Sequence, residues 1–176
     1  HHCLVRVVLS ARVKPGGVMS TKLSSLATRP EPVTPATPGA EVYRRFQQEA
    51  DLLILPVVDA DDRPVGIVDR NSFFLRMAAE YGRALYAQRP ISALMNPCPL
   101  VAEGSTLVTD FTGDALAERP SELMQGFIVV ENGRYAGVGA LISLLQATSE
   151  ANRAHAEEMT RIAEHLNIAR VEAQAA

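Results

Sequence analysis

The chain contains one pattern of elements twice, and this duplication constrains its fold more than any other feature of the sequence. Residues 23–79 and 91–149 each begin with a short helical turn and continue through a Pro-flanked extended segment and a helix. Each then ends with two strands and a second helix, which makes a β-α-β-β-α unit. Such a unit is too small to bury its sheet alone, so we expect the two copies to pack through their sheets with pseudo-twofold symmetry. The predicted fold class is α/β (α+β), with a long C-terminal helix.

The strand pairs give the strongest local signals. In the first copy, LLILPVVD (52–59) and PVGIVD (64–69) are short apolar runs, and GFIVVE (126–131) and RYAGVGA (134–140) repeat them in the second. The second pair flanks Asn132-Gly133, a dipeptide typical of hairpin turns because both residues tolerate a positive φ. Continuous Val- and Ile-rich runs are typical of buried strands. We therefore predict one hairpin in each copy.

Helix starts are predicted from short polar side chains that can accept hydrogen bonds from first-turn amides. Pro38, which would occupy the first helical position after Thr37, supports the first of these starts. The predicted helices cover residues 37–48 with Thr37 as cap, 71–80 with Asn71 as cap, and about 105–117 with Ser105 as cap.

The C-terminal stretch, residues 142–176, contains neither Pro nor Gly and is rich in the good helix formers Ala, Glu and Arg. It carries a seam with 3,4 spacing, which is typical of a helix that pairs with another helix. The seam is apolar in its second half and polar at Thr148, Asn152 and His155. The seam positions are Leu145, Thr148, Asn152, His155, Met159, Ile162, Leu166, Ala169 and Ala173. Two interpretations remain open: a helix that packs on its own domain, or a dimerising signalling helix that leads into a further domain. The second predicts dimer contacts at Met159, Ile162, Leu166 and Ala169.

At the other end, residues 1–18 precede the first methionine, Met19, and begin with two histidines. We interpret them as a tag-derived leader, with native sequence as the alternative. The predicted organisation is a leader (1–18), a first repeat (19–80), a linker (81–90), a second repeat (91–149) and a C-terminal helix (150–176).

Composition excludes several classes of protein. Apolar residues make up 47% of the chain and the net charge is −3, which excludes a disordered chain and a basic nucleic-acid binder. No apolar run approaches the roughly 20 residues of a membrane span. We therefore expect no nucleic-acid partner and no membrane partner, and a cytoplasmic location.

Catalytic and metal-binding patterns do not occur in the sequence. It contains no Walker loop, no GxGxxG, no GxSxG and no HExxH. His155 and His165 lie ten residues apart, whereas two metal ligands on one helix face lie three or four apart. We expect a chain that is not an enzyme and holds no metal.

The two copies, taken in order, resemble the tandem cystathionine-β-synthase domain, called the CBS pair or Bateman module. ILPVVD with Pro56, followed by GIVDRNSFF (66–74), is similar to the family pattern PVVD…GIVTxxD. FIVVENGRYAGVGALISLL (127–145) repeats that pattern, and ISALMNPCPLV (91–101) resembles the family's opening hxxhMTxxPhxV. The likeness covers about residues 23–149. The linker is also similar to those of CBS pairs in bacterial signalling proteins with histidine kinase or cyclic-di-GMP output domains.

The resemblance implies a regulatory module. CBS pairs often bind adenosyl ligands (AMP, ADP, ATP or S-adenosylmethionine) in clefts between the repeats, and they commonly dimerise. We expect a ligand-sensing homodimer that passes a conformational change to an attached output domain. The alternative is a ligand-free dimerisation or spacer module of a multidomain signalling protein.

The family's site residues carry over only in part. The phosphate-contacting position of GhhTxxD falls on Asp69 and Ala140, and the ribose-binding aspartate falls on Ser72 and Ser143. Neither copy keeps that aspartate, and a serine cannot grip two vicinal hydroxyls as a carboxylate does. Asp69 would repel phosphate unless Arg70 offsets it. Ala140 offers no polar group, so the second copy is the less favoured phosphate site.

Two further expectations concern the base pocket and the role of Asp69. The resemblance assigns the base pocket to Thr28 and Val33 in the first copy, and to Asn96, Leu100 and Val101 in the second. It also implies that Pro56 is a ligand-binding residue. Asp69 also has an alternative interpretation as a helix cap, because an aspartate just before a helix can accept backbone N–H bonds.

Overall fold

The computed structural model describes residues 21–175. The predicted leader, residues 1–18, lies outside the described residues. The first copy contains α1 (Leu23–Leu26), α2 (Gly39–Gln48), β1 (Ile54–Val58), β2 (Pro64–Asp69) and α3 (Arg70–Ala78). A short helix, α4 (Gly82–Tyr86), lies in the predicted linker. The second copy contains a 3₁₀ turn (Ile91–Ala93), β3 (Leu100–Glu103), α5 (Val108–Glu118), α6 (Pro120–Leu123), β4 (Phe127–Glu131), β5 (Arg134–Gly139) and α7 (Leu141–Gln174).

Each copy contributes one small sheet. β1 and β2 pair antiparallel, and in the other sheet β4 lies between a parallel β3 and an antiparallel β5. The first copy has a single residue, Val33, in the place of β3, where it bridges Val57 in parallel. Pro32 and Pro35 flank that bridge and lack the N–H group that a longer strand needs. The predicted fold class is confirmed, and Asn132 and Gly133 adopt positive φ in the second hairpin turn.

The opening turns of the two copies are exchanged. The Leu23 N–H donates to the Thr106 carbonyl at 2.9 Å, and Leu23 is buried against the helices of the second copy. In return, the Ile91 N–H donates to the Thr37 carbonyl at 2.7 Å, and Ile91 is buried in the first copy's core. Each copy therefore completes the other, which explains why neither unit is self-sufficient.

The sheets of the two copies pack against each other, as the apolar strands predict. Eight buried residues fill this inner layer: Ile54, Val58, Ile67, Val101, Ile128, Val130, Tyr135 and Val138. Two further apolar cores lie between each sheet and its helices.

The three predicted caps are wrong, and exchanged backbone explains two of them. The first amide of α2, Gly39 N–H, donates to the Arg89 carbonyl at 2.9 Å, and that of α5, Val108 N–H, donates to the Thr21 carbonyl at 2.9 Å. Distant carbonyls thus satisfy these helix starts, so no side chain is needed. Thr37 instead accepts the Thr34 N–H at 3.2 Å, and Ser105 lies before the helix start.

The third cap is Asp69 rather than Asn71. Its carboxylate accepts the N–H groups of Asn71 and Ser72, each at 3.1 Å, and α3 begins at Arg70. The alternative interpretation of Asp69 as a capping residue is therefore the one that the structure supports.

The last helix, α7, is 34 residues long and differs along its length. Leu144, near its start, is fully buried in the second copy's core, whereas every residue from 152 to 175 is exposed. Among the helices of the described residues, none has the length and apolar character needed to cross a membrane.

Candidate functional site

Two clefts lie between the copies, at equivalent places in the pseudo-twofold arrangement. The larger cleft, of about 690 Å³, lies between residues 26–30, the α2–β1 loop (48–54) and the junction of β5 with α7. The smaller cleft, of about 490 Å³, lies between the junction of β2 with α3, residues 94–97 and Gln125. Both volumes fall in the range of small-molecule sites.

The exchanged segments build both clefts in the same way. Thr28 and Val138 exchange two backbone hydrogen bonds, at 2.8 and 3.0 Å, and Asn96 and Ile67 do the same at 2.9 and 3.1 Å. Close approach of the first pair requires Gly137, because a Cβ there would lie 2.8 Å from the Thr28 carbonyl oxygen. Each cleft therefore combines the opening segment of one copy with the strand end of the other.

This geometry corrects the assignment of pocket residues by copy. Thr28 shares the larger cleft with Ala140 and Ser143 of the second copy. Asn96 shares the smaller cleft with Asp69 and Ser72 of the first copy. The exchange of the opening segments thus determines which motifs meet in each cleft.

Four of the sequence-predicted site residues lie in the cores rather than at the clefts. Val33 packs in the first copy's core, Leu100 in the second copy's, and Val101 between the sheets. Pro56 is buried within β1. None of the four is among the side chains that line either cleft.

Arg70 also has a different position from the one expected. Its guanidinium donates to the Phe46 carbonyl at 2.8 Å and lies within 3.3 Å of three further carbonyls, those of Glu49, Ala50 and Leu52. Arg70 therefore does not offset the charge of Asp69. It fastens the α2–β1 loop, which forms one wall of the larger cleft.

Two polar side chains of the smaller cleft, Asp69 and Asn96, already have partners within the protein. The Asp69 carboxylate occupies the amides at the start of α3, where a helix attracts anions. The Asn96 side chain donates to the Gln125 amide oxygen at 2.9 Å and accepts the Cys98 N–H at 2.9 Å. The position that could hold a phosphate thus carries a carboxylate of the protein itself.

The larger cleft has the opposite character at the equivalent position. The first turn of α7 lines it, the N-cap is Ala140, and no side chain caps the helix. No acidic residue lies in that first turn. Elsewhere the lining carries Arg29 together with Glu49 and Asp51, of which Glu49 pairs with Arg45 at 2.9 Å. Leu53 and Ile142 each expose about half of their surface there (47% and 53%). The cleft therefore offers an apolar surface beside a positive helix end.

Tyr135 is a residue that the sequence motifs did not single out. Its hydroxyl donates to the Pro30 carbonyl at 2.6 Å, and this bond fixes the segment that carries Thr28. Burial raises the pKa of Tyr135 to about 12, against the opposing effect of Arg29. The available signal was a lone polar aromatic residue within an aliphatic strand.

In the part of the chain that the structure describes, no group of three or more His, Cys, Asp or Glu side chains is arranged so that it could hold a metal ion. His155 and His165 lie on the exposed part of α7.

Comparison with known proteins decides the fold family. Residues 22–78 match the family model of the CBS domain. CBSX2 from Arabidopsis thaliana, a CBS-pair protein, superposes with a TM-score of 0.61 at 19% identity, covering 77% of this chain and 99% of that one. The chain folds as a CBS pair. The resemblance inferred from the sequence is thereby confirmed.

Two other solved CBS proteins have the same fold. The CBS-domain protein ATU1752 from Agrobacterium tumefaciens superposes with a TM-score of 0.59 at 20% identity, over 78% of this chain and 99% of its own. The CBS pair of protein MJ0100, solved with 5′-methylthioadenosine and S-adenosyl-L-methionine, superposes with a TM-score of 0.57 at 17% identity, over 74% and 97%. CBSX2 has also been solved with AMP. No curated protein sequence matches this CBS pair.

Proposed function

We propose that this CBS pair is a regulatory module that binds one adenosyl nucleotide (AMP, ADP or ATP) per chain in the larger cleft. The observation that carries the proposal is the uncapped start of α7 in that cleft, beside half-exposed Leu53 and Ile142. The helix end attracts phosphate, and the apolar side chains can contact a base. Fold relatives that bind AMP or S-adenosylmethionine support this class of ligand.

The remaining contacts follow from the lining of the cleft. Ser143, on the first turn of α7, is positioned to bond one ribose hydroxyl, and Thr28 lies on the opposing wall. Because neither residue is a carboxylate, the ribose is held less firmly than by an aspartate. S-adenosylmethionine, which carries no phosphate, would use the apolar contacts and gain less from the helix end.

A change in the cleft can reach the rest of a longer protein through α7. The helix starts at the cleft and extends beyond the repeats with every residue from 152 to 175 exposed, so a ligand in the cleft would contact its first turn, far from its other end. We propose that the module is a cytoplasmic homodimer whose α7 biases an attached kinase or cyclic-di-GMP output domain. A ligand shifts the equilibrium between two arrangements of the module only if it binds them with different affinities.

The second candidate is a ligand-free dimerisation or spacer module. The observation in its favour is the capping of α3 by Asp69, which fills the anion position of the smaller cleft. Under this account neither cleft binds a nucleotide, and the module only sets the geometry of the protein through its dimer and its terminal helix.

Titration calorimetry separates the two candidates. The native chain is titrated with AMP, ADP, ATP, S-adenosylmethionine and a cyclic dinucleotide, and thermal melting is recorded with each. The ligand-sensing account predicts one site per chain and a raised melting temperature with at least one adenine nucleotide. No heat and no thermal shift with any ligand would establish the ligand-free account instead.

A further inference from the structure

The exposed part of α7, residues 152–175, carries large apolar side chains that nothing in the described chain covers. Met159, Ile162 and Leu166, which lie on the seam, expose 54%, 43% and 67% of their surface, and Ile168 and Val171, which lie off it, expose 55% and 57%. A single helix without tertiary contacts is marginal in water, and its stability normally comes from a buried apolar face. This stretch therefore needs a partner.

The period of the seam identifies the kind of partner. Apolar residues on a straight helix with 3.6 residues per turn drift by about 20° per heptad from a strict 3,4 repeat. The seam keeps that repeat from Leu145 to Ala173. Such a stripe is continuous only when the helix supercoils with another helix of the same period.

Charge on α7 indicates that the partner helix is a second copy. Four of the charged side chains of α7 pair within the helix, Arg161 with Glu158 at 2.7 Å and Arg153 with Glu157 at 3.7 Å. The seam itself bears no Asp, Glu, Lys or Arg. An uncharged stripe with this period is complementary to itself.

Asn152 gives the direction of pairing. It occupies an a position of the heptad, and Ala151 at the preceding g position and Ala156 at the following e position leave room for close approach. In a parallel pair in register, a faces a, so the Asn152 amide meets its own copy and the two amides bond reciprocally. In an antiparallel pair, a faces d, so the two Asn152 amides do not meet.

We propose that residues 152–173 of α7 pair with the same residues of a second copy as a parallel, in-register coiled coil. The inference rests on the proposed homodimer and specifies its contact. It places both nucleotide clefts at one end of the coil and aligns the two helix ends.

Sedimentation velocity tests the contact. Leu166→Asp places a carboxylate in the seam, and we expect the dimer dissociation constant to rise at least about tenfold. Asn167→Asp adds the same charge one residue away, off the seam, and leaves the dimer unchanged. A native chain that is monomeric, or a Leu166→Asp dimer as stable as the native one, would overturn the proposal.

Disulfide trapping tests the direction. We expect Asn152→Cys to form a covalent dimer on mild oxidation, whereas Glu157→Cys, on the opposite helix face, remains at the level of the native chain. Equal trapping at both positions would contradict the in-register arrangement. Nucleotide titration of Leu166→Asp distinguishes this proposal from the proposed ligand site. If the variant is monomeric and still binds nucleotide, the coiled coil is needed for dimerisation and not for binding. If the native chain is dimeric and binds no nucleotide, only the proposed ligand site is contradicted.

Discussion

Two equivalent residues, Asp69 and Ala140, make the two clefts chemically unlike. The Asp69 carboxylate accepts hydrogen bonds from the N–H groups of Asn71 and Ser72 at the start of α3, whereas Ala140 leaves the first turn of α7 without a side-chain acceptor. A helix start attracts an anion in either case. The protein supplies that anion in the smaller cleft, and in our account the ligand supplies it in the larger one.

Removal of the Asp69 cap should lower stability without unfolding the chain. We expect Asp69→Ala to reduce the free energy of unfolding by about 1 kcal/mol, because two amides lose their acceptor. Asp69→Asn keeps a capping oxygen and is the matched control, with a smaller loss. Denaturant unfolding measures both, and equal losses would show that the charge, rather than the capping bond, is what matters.

Tyr135 should make stability depend on pH in the alkaline range. Its pKa is raised from 10.0 to about 12 by burial, so the unfolded chain loses the phenolic proton first. Stability is therefore complete below pH 10 and falls as pH rises towards 12. Tyr135→Phe removes this dependence and costs about 1 kcal/mol below pH 10, since the Pro30 carbonyl loses its donor.

The control for that prediction is Tyr81→Phe, because Tyr81 is 73% exposed. Denaturant unfolding across the alkaline range gives both slopes. A Tyr135→Phe variant that keeps the native pH slope would assign the effect to another group.

At the scale of elements, the exchanged segments are the least tolerant part of the fold. In Gly137→Ala, the new Cβ would lie 2.8 Å from the Thr28 carbonyl oxygen and 3.0 Å from the Ala27 Cβ. Both obstacles belong to the exchanged segment, which can move only by breaking its pair with Val138. We expect a loss of about 1–3 kcal/mol in the free energy of unfolding.

Gly113→Ala is the matched control for this substitution. Gly113 lies in α5, and a Cβ there meets nothing within 4 Å, so the helix should gain about 0.5–1 kcal/mol. Chemical denaturation compares the two variants. Similar changes in both would mean that Gly137 is not required for close approach.

Local patterns predicted the elements but not their partners. Both hairpins and α7 follow from periodicity, turn residues and helix formers, which act within a few residues. The caps failed because the acceptors for α2 and α5 are the carbonyls of Arg89 and Thr21, which are distant in sequence. The pocket assignment by copy failed for the same reason, since Thr28 belongs beside Ala140 only after the opening turns exchange.

At the scale of the whole molecule, pseudo-twofold symmetry holds in the backbone and is broken in chemistry. Both clefts are built by the same pair of backbone contacts, at Thr28–Val138 and Asn96–Ile67. The larger cleft, however, lies at the start of the long helix α7, and the smaller one at the start of the short helix α3. In our account, one ligand site at the start of α7 is sufficient for a sensor, because only that site needs to shift the equilibrium between two arrangements of the module.

The most direct test of this account places a capping aspartate, equivalent to Asp69, at the start of α7 in the larger cleft. Ala140→Asp gives α7 its own capping carboxylate, so we expect unchanged or higher thermal stability. Nucleotide affinity, measured by titration calorimetry, should fall at least about tenfold, because the carboxylate occupies the phosphate position and repels it. Ala140→Ser, which adds a cap without charge, should retain more of the affinity. If Ala140→Asp binds nucleotide as tightly as the native chain, the ligand does not bind at the start of α7 and the central claim is wrong.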